Sequence, residues 1–242
     1  MRDDEGNARN MRGGLPPLPS LFTPLALPPG EDARTRAMAL APEQGGGLLA
    51  WSASDTLLQA ALVLEPEESL RAARAGLLAA ASAAADALVV LGPPEIPVTL
   101  RWPATLVLNG AAVGHLALGA PPATAEDAVP DWLVVALSLD WRHKPGHEPG
   151  STPGHTVLAE EGFLEVPPEE IVAAWARHLM AGLSEWQSRG FRAMADRVLA
   201  RLEVEPWMEG AKRGLDPQSG ALVLRREDGA EARHPLPTGP DA

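Results

Sequence analysis

Asn109 and Gly110 sit between two short runs of β-forming residues, Thr105–Leu108 and Val113–Leu118, and no other feature of the chain restricts its fold so strongly. Asn-Gly accepts the positive φ that both central positions of a two-residue hairpin turn need, and that turn's twist matches the strands it joins. An antiparallel pair in mid-chain is therefore expected, which argues against a doubly wound parallel sheet. Val98–Trp102, stopped by Pro103, reads as a further strand just upstream.

The surrounding segments fit the same architecture. Leu48–Trp51 and Leu57–Leu64 are predicted strands separated by a turn over Ser52–Asp55, and the unbroken apolar run Trp132–Leu139 has the character of a central strand. Glu31 and Asp32, after Pro29 and Gly30, open a helix expected to end near Pro42. Leu70, Ala73, Leu77, Ala81, Ala84 and Leu88 recur at helical spacing in one long segment that Gly92, Pro93 and Pro94 terminate. A third helix starts after Pro167–Pro168 and carries Ile171, Trp175, Leu179, Leu183 and Trp186 on one stripe, and a fourth follows Gly190. The prediction is an α+β fold, a mixed sheet with helices packed on it, over residues 21–206. Residues 1–20, polar and then proline-rich, are expected to be a loose tail, and residues 207–242 a small β appendage around Ala221–Arg225.

Composition excludes several functions. With 45% hydrophobic and 21% charged residues the chain can bury a core, and 242 residues suit one main core with an appendage. A net charge of −12 offers no basic stripe for a phosphate backbone, so nucleic acid is not an expected partner. The absence of cysteine removes thiolate catalysis, disulfides and cysteine-ligated zinc. No secretory signal is apparent, and no apolar stretch reaches the roughly 20 residues that cross a bilayer, so a cytoplasmic protein without membrane contact is expected.

The segment RWPATLVLNGAAVGHLAL, residues 101–118, resembles the signature hairpin of the biotin/lipoate protein ligase family. That hairpin runs Lys-Trp-Pro-Asn-Asp, a strand, a turn, then Lys-(Leu/Val)-(Ala/Gly)-Gly-Ile-Leu. Trp102 and Pro103 match outright, Arg101 keeps the first charge, and Val113, Gly114 and Leu116 match the second strand. Residues 131–141, 158–179 and 214–229 are similar, in order, to later parts of the same ligases. The resemblance implies a class II synthetase-like core and a two-step reaction. ATP with Mg would activate the carboxylate of biotin or a lipoate-like acid as an acyl-adenylate, and the acyl group would pass to a lysine on a biotin carboxyl carrier or lipoyl domain.

The chain departs from that pattern where the chemistry lies. Ala112 stands at the second motif lysine, Thr105 at the aspartate of Trp-Pro-Asn-Asp, and Lys144 and Lys212 are the only lysines. Where the family carries a Gly-Arg-Gly-Arg-x-Gly loop around the adenylate, residues 52–56 read SASDT, and Asp55 would repel a triphosphate. Two functions follow from the resemblance: a ligase with a remodelled nucleotide site, or an inactive member that binds a small carboxylate or a carrier domain. A pure interaction protein with an acidic surface is the third reading.

The candidate catalytic residue is Arg101, either a cation facing the acyl carboxylate or phosphate or a solvated strand end. Trp102, Pro103, Thr105, Gly114, His115, Ser54 and Asp55 are candidate ligand-binding residues. Gly114 admits either a ligand against the backbone or tight packing, and His115 either a general base or a structural histidine. His143, His147 and His155 share one Pro/Gly-rich loop that supplies no fixed geometry, so no metal site is assigned.

Overall fold

The computed structural model describes residues 14–148 and 150–237. Asn109 (φ 49°) and Gly110 (φ 82°) form the expected hairpin between β5 (Thr105–Leu108) and β6 (Ala111–Gly119). With β1 (Thr23–Ala26), β2 (Leu48–Ala53), β3 (Leu57–Leu64), β4 (Val98–Arg101) and β7 (Leu133–Asp140) they make a seven-stranded sheet ordered β1-β2-β3-β7-β6-β5-β4. Only β1 and β2 pair in parallel, so the sheet is mixed, and the apolar strand β7 lies at its centre. β2 runs on to Ala53, which places Ser52 inside a strand rather than in the expected turn.

One face of the sheet carries most of the core. The long helical segment divides into α2 (Leu70–Ala73) and α3 (Gly76–Leu91), with hydrogen bonds spanning three residues, from Leu77 N–H to Arg74 C=O and from Leu78 N–H to Ala75 C=O, at the break. α3 is buried almost throughout because alanines fill its surface and let α4 (Pro168–Arg189) and the sheet approach closely. Trp175 of α4 is fully buried, and its indole N–H donates to Ala80 C=O at 3.1 Å. α5 (Phe191–Arg201) closes this layer with Met194 and Val198. By length and composition Leu70–Leu91 could cross a bilayer, which corrects the expectation that no such stretch exists, but 72% of its apolar window is buried in the protein. Its hydrophobicity serves the core.

Among the described residues α1 (Ala33–Gln44) is the one helix on the opposite face, capped by Asp32, whose carboxylate accepts from Thr35 N–H at 3.0 Å. The helix runs two residues past Pro42, since a proline near the end deletes a single hydrogen bond and Gly45 N–H still closes on Ala41 C=O. Ala33, Ala37 and Ala41 pack with Leu48, Ala50, Ala61, Val63, Val134 and Ala136 of β2, β3 and β7. β4 to β6 extend beyond the helix on that side.

At the C-terminal end β8 (Lys212–Leu215), β9 (Leu222–Arg225) and β10 (Glu231–His234) form a small antiparallel sheet. Leu222, Leu224 and Leu236 join the main core. β8 and β10 escaped the sequence reading because they are short and polar, with turns made by Asp216, which accepts from Ser219 Oγ at 2.8 Å, and Asp228, which accepts from Ala230 N–H at 2.9 Å. In the stretch expected to be a loose tail, Leu15 and Leu18 pack against the core and Pro17 C=O accepts from Arg177, while residues 1–13 lie outside the described residues.

Trp175→Ala should lower the unfolding free energy by about 3–5 kcal/mol through the cavity it leaves, and Trp175→Phe by less. Urea denaturation of the full chain measures both.

Candidate functional site

Strand register lines up one residue from each of six strands. Ser52 stands opposite Gln59, Gln59 opposite Ser138, Ser138 opposite His115, His115 opposite Thr105, and Thr105 opposite Arg101. Residues directly opposite one another point to the same face, so these six form a polar band across the sheet, about 24 Å long at the usual strand spacing. The next row on that face is Ala50, Ala61, Ala136 and Ala117, and α1 packs on the first three. The band therefore runs past the N-terminal end of α1, where buried Ser52 Oγ donates to Glu31 C=O at 2.7 Å.

A polar side chain in an otherwise apolar strand costs stability unless its groups are satisfied. Ser52 meets that cost within the protein. Gln59, Ser138 and Thr105 are half-buried and His115 is exposed, so their amide, hydroxyl and imidazole groups stand on the part of this face that α1 leaves open. Such a surface can hold a small ligand with several hydrogen-bonding atoms at one end. Asp140, two residues beyond Ser138 on β7, points to the same face and stands exposed beside the band.

The residues singled out from the sequence divide into those on the band and those beside it. Thr105 and His115 are neighbours on it. Arg101 lies on it too, but its guanidinium is committed: Nε donates to Glu203 at 2.6 Å and Nη2 to Gly110 C=O at 2.6 Å. Thr99 Oγ1 bonds the other oxygen of Glu203 at 2.7 Å, so this cation is half-buried and balanced, and it ties the end of α5 to β4. Trp102 and Pro103 form the turn between β4 and β5 through a cis peptide bond, with Trp102 packed against the core. At Gly114 an added Cβ would collide with Ser138 C=O and stand 3.0 Å from Leu139 Cα, which assigns this glycine to close strand approach.

Ser54 and Asp55 lie at the β2–β3 connection, which is only three residues long. Ser54 N–H donates to Leu57 C=O at 2.9 Å and Ser54 Oγ accepts from Leu57 N–H at 3.1 Å, leaving Asp55 exposed at the tip. Ala112 is backed by the Pro/Gly-rich loop, donating to Gly154 C=O and accepting from Thr156 N–H, each at 2.8 Å. In that loop His143 stacks on His147 with centroids 3.7 Å apart and reaches Glu160 at 3.3 Å, while His155 bridges to Ala112. Among the described residues no three histidine, aspartate or glutamate side chains gather to hold a metal. Ser52, Gln59 and Ser138 were missed by the sequence reading, although each carries a signal: Ser52 and Gln59 are the lone polar residues of their strands, and Ser138 interrupts the apolar part of β7.

Residues 15–200 match the sequence model of the biotin/lipoate A/B protein ligase family. A biotin–[acetyl-CoA-carboxylase] ligase of Paracoccus denitrificans is 31% identical over 183 residues, covering 70% of this chain and 74% of that protein. A biotin protein ligase-like protein of unknown function from a Silicibacter species superposes with a TM-score of 0.76 at 30% identity, over 90% of this chain and 96% of that one. A biotin protein ligase from Aquifex aeolicus has the same fold, with a TM-score of 0.65 at 15% identity over 88% and 95% of the two chains.

Gly114→Ala should push β6 away from β7, lower stability by about 1–3 kcal/mol and separate His115 from Ser138. Thermal unfolding reads the first effect, and the imidazole resonance of His115 in an NMR spectrum reads the second.

Proposed function

Because the chain belongs to the biotin/lipoate A/B protein ligase family, we propose that it binds biotin or a lipoate-like acid on the polar band without forming the adenylate. The observation that carries this reading is the β2–β3 hairpin. Adenylation joins a carboxylate oxygen to the α-phosphorus of ATP and releases pyrophosphate, so the site must neutralise a triphosphate and keep water from a mixed anhydride. A three-residue turn whose serine is spent on its own backbone and whose tip is Asp55 offers neither cation nor cover. The residues at this hairpin do not fit ATP. Arg101 is already neutralised by Glu203, and Ala112 has no charge to give.

What remains suits binding. Hydroxyl, amide and imidazole groups at Ser138, Gln59 and His115 can meet the polar head of a small acid. A biotin carboxyl carrier or lipoyl domain is the macromolecular partner this reading implies. The active-ligase reading has one observation in its favour, the 31% identity to the Paracoccus denitrificans ligase.

One experiment separates them. The full chain is titrated calorimetrically with biotin and with lipoate, then incubated with ATP, Mg, each acid and a carrier domain while pyrophosphate is measured. Binding of one acid with no acid-dependent pyrophosphate is expected. Pyrophosphate release with acylated carrier would establish the ligase instead, and failure to bind either acid would remove the proposed platform.

A further inference from the structure

Among the described residues Arg34 is the one cation with a buried side-chain nitrogen that has no hydrogen-bond partner. Nine of the remaining arginines lie against carboxylates. Arg34, among the described residues, pairs with none. One Nη2 bond goes to Leu118 C=O, and its Nε is buried without any hydrogen-bond partner. In a protein of net charge −12, a half-buried guanidinium with a buried, unused donor is costly unless an acceptor arrives to meet it.

Its position points to the acceptor. Met38, one helical turn further along α1, sits over Gly119, where an added Cβ would stand 3.0 Å from Met38 Cγ. The N-terminal end of α1 meets the band at Ser52. Arg34 therefore lies between Gly119 and the band, on the side of β6 that carries Ala117. Leu116 N–H donates to Ala104 C=O, so Leu118, two residues on, turns its carbonyl to the same edge of β6. β5 does not extend that far, and Arg34 occupies the free carbonyl. Leu118 is three residues from His115, about 10 Å along the strand.

Resting on the binding role argued above, we propose that Arg34 is the anion anchor of this site, holding the carboxylate of a small acid whose polar head lies on Ser138, Gln59 and His115. The span from band to guanidinium suits an acid with a polar ring at one end of a short apolar chain and a carboxylate at the other. A planar guanidinium with free donors grips a carboxylate more specifically than a neutral amide. The same contact leaves the carboxylate covered and paired rather than presented to a nucleotide.

The test compares acid with amide. Biotin and biotinamide, and in parallel lipoate and lipoamide, are titrated calorimetrically into wild type, Arg34→Gln and Arg34→Lys, with thermal unfolding run on each variant. Wild type should prefer the acid about tenfold or more, Arg34→Gln should bind acid and amide alike at the amide's level, and Arg34→Lys should keep part of the preference. Equal binding of acid and amide by wild type overturns the anchor while leaving the binding platform intact, and so does a preference that survives in Arg34→Gln. Failure of wild type to bind any of the four removes platform and anchor together. Should Arg34→Gln not fold, the wild-type preference and its reduction in Arg34→Lys decide the matter.

Discussion

The register of β6 against β7 is the constraint from which the site follows. Strand side chains alternate between faces, so a slip of one residue would carry His115 and Ala117 into the α3 core and turn Leu116 and Leu118 out to the α1 side. Gly114 helps to prevent this, because only a residue without Cβ fits against Ser138 C=O. The Asn109–Gly110 turn adds a second restraint, setting β5 against β6 so that Thr105 meets His115. Gly114 and the Asn109–Gly110 turn thereby place polar groups from three strands side by side.

Small side chains provide the other half of the arrangement. Ala50, Ala61 and Ala136 lie in one row beneath Ala33, Ala37 and Ala41 of α1, so helix and sheet approach with little between them. A helix seated that closely can send Arg34 across Ala117 to the edge of β6. Larger residues in the row would lift α1, withdraw Arg34 and part Ser52 from Glu31. The alanines thus act on the site through the distance they set, with no polar atom of their own.

Much of this was legible in the sequence, and what was not has a physical cause. Asn-Gly, the apolar run of β7 and the Pro-Pro-Glu-Glu start of α4 are local signals, and the structure places each as expected. Trp102 and Pro103 pointed to the family that the matches over residues 15–200 establish. The band itself was hidden, because Ser52, Gln59, Ser138 and His115 come from four strands and meet only through pairing that no local window contains. β8 and β10 were hidden for a similar reason, since their polar residues are strands only by virtue of β9 between them. Arg34 gave no sign at all; it reads as one more charged residue in the first turn of a helix.

Arg101 shows why a motif position does not carry its role with it. The charge survives at the place of the first lysine in the motif hairpin, yet Glu203, delivered by the chain just beyond α5, takes up the guanidinium together with Thr99. A cation so paired contributes a link between the last helix and the edge strand, and little field to the band beside it. Arg34 stands in the opposite condition, remote from the motif and free of any carboxylate among the described residues. Fold and function are separable in this way because a sheet can keep its register while the charges upon it change places. On such a scaffold the cation proposed to serve the ligand is the one whose buried donor the protein leaves without an acceptor.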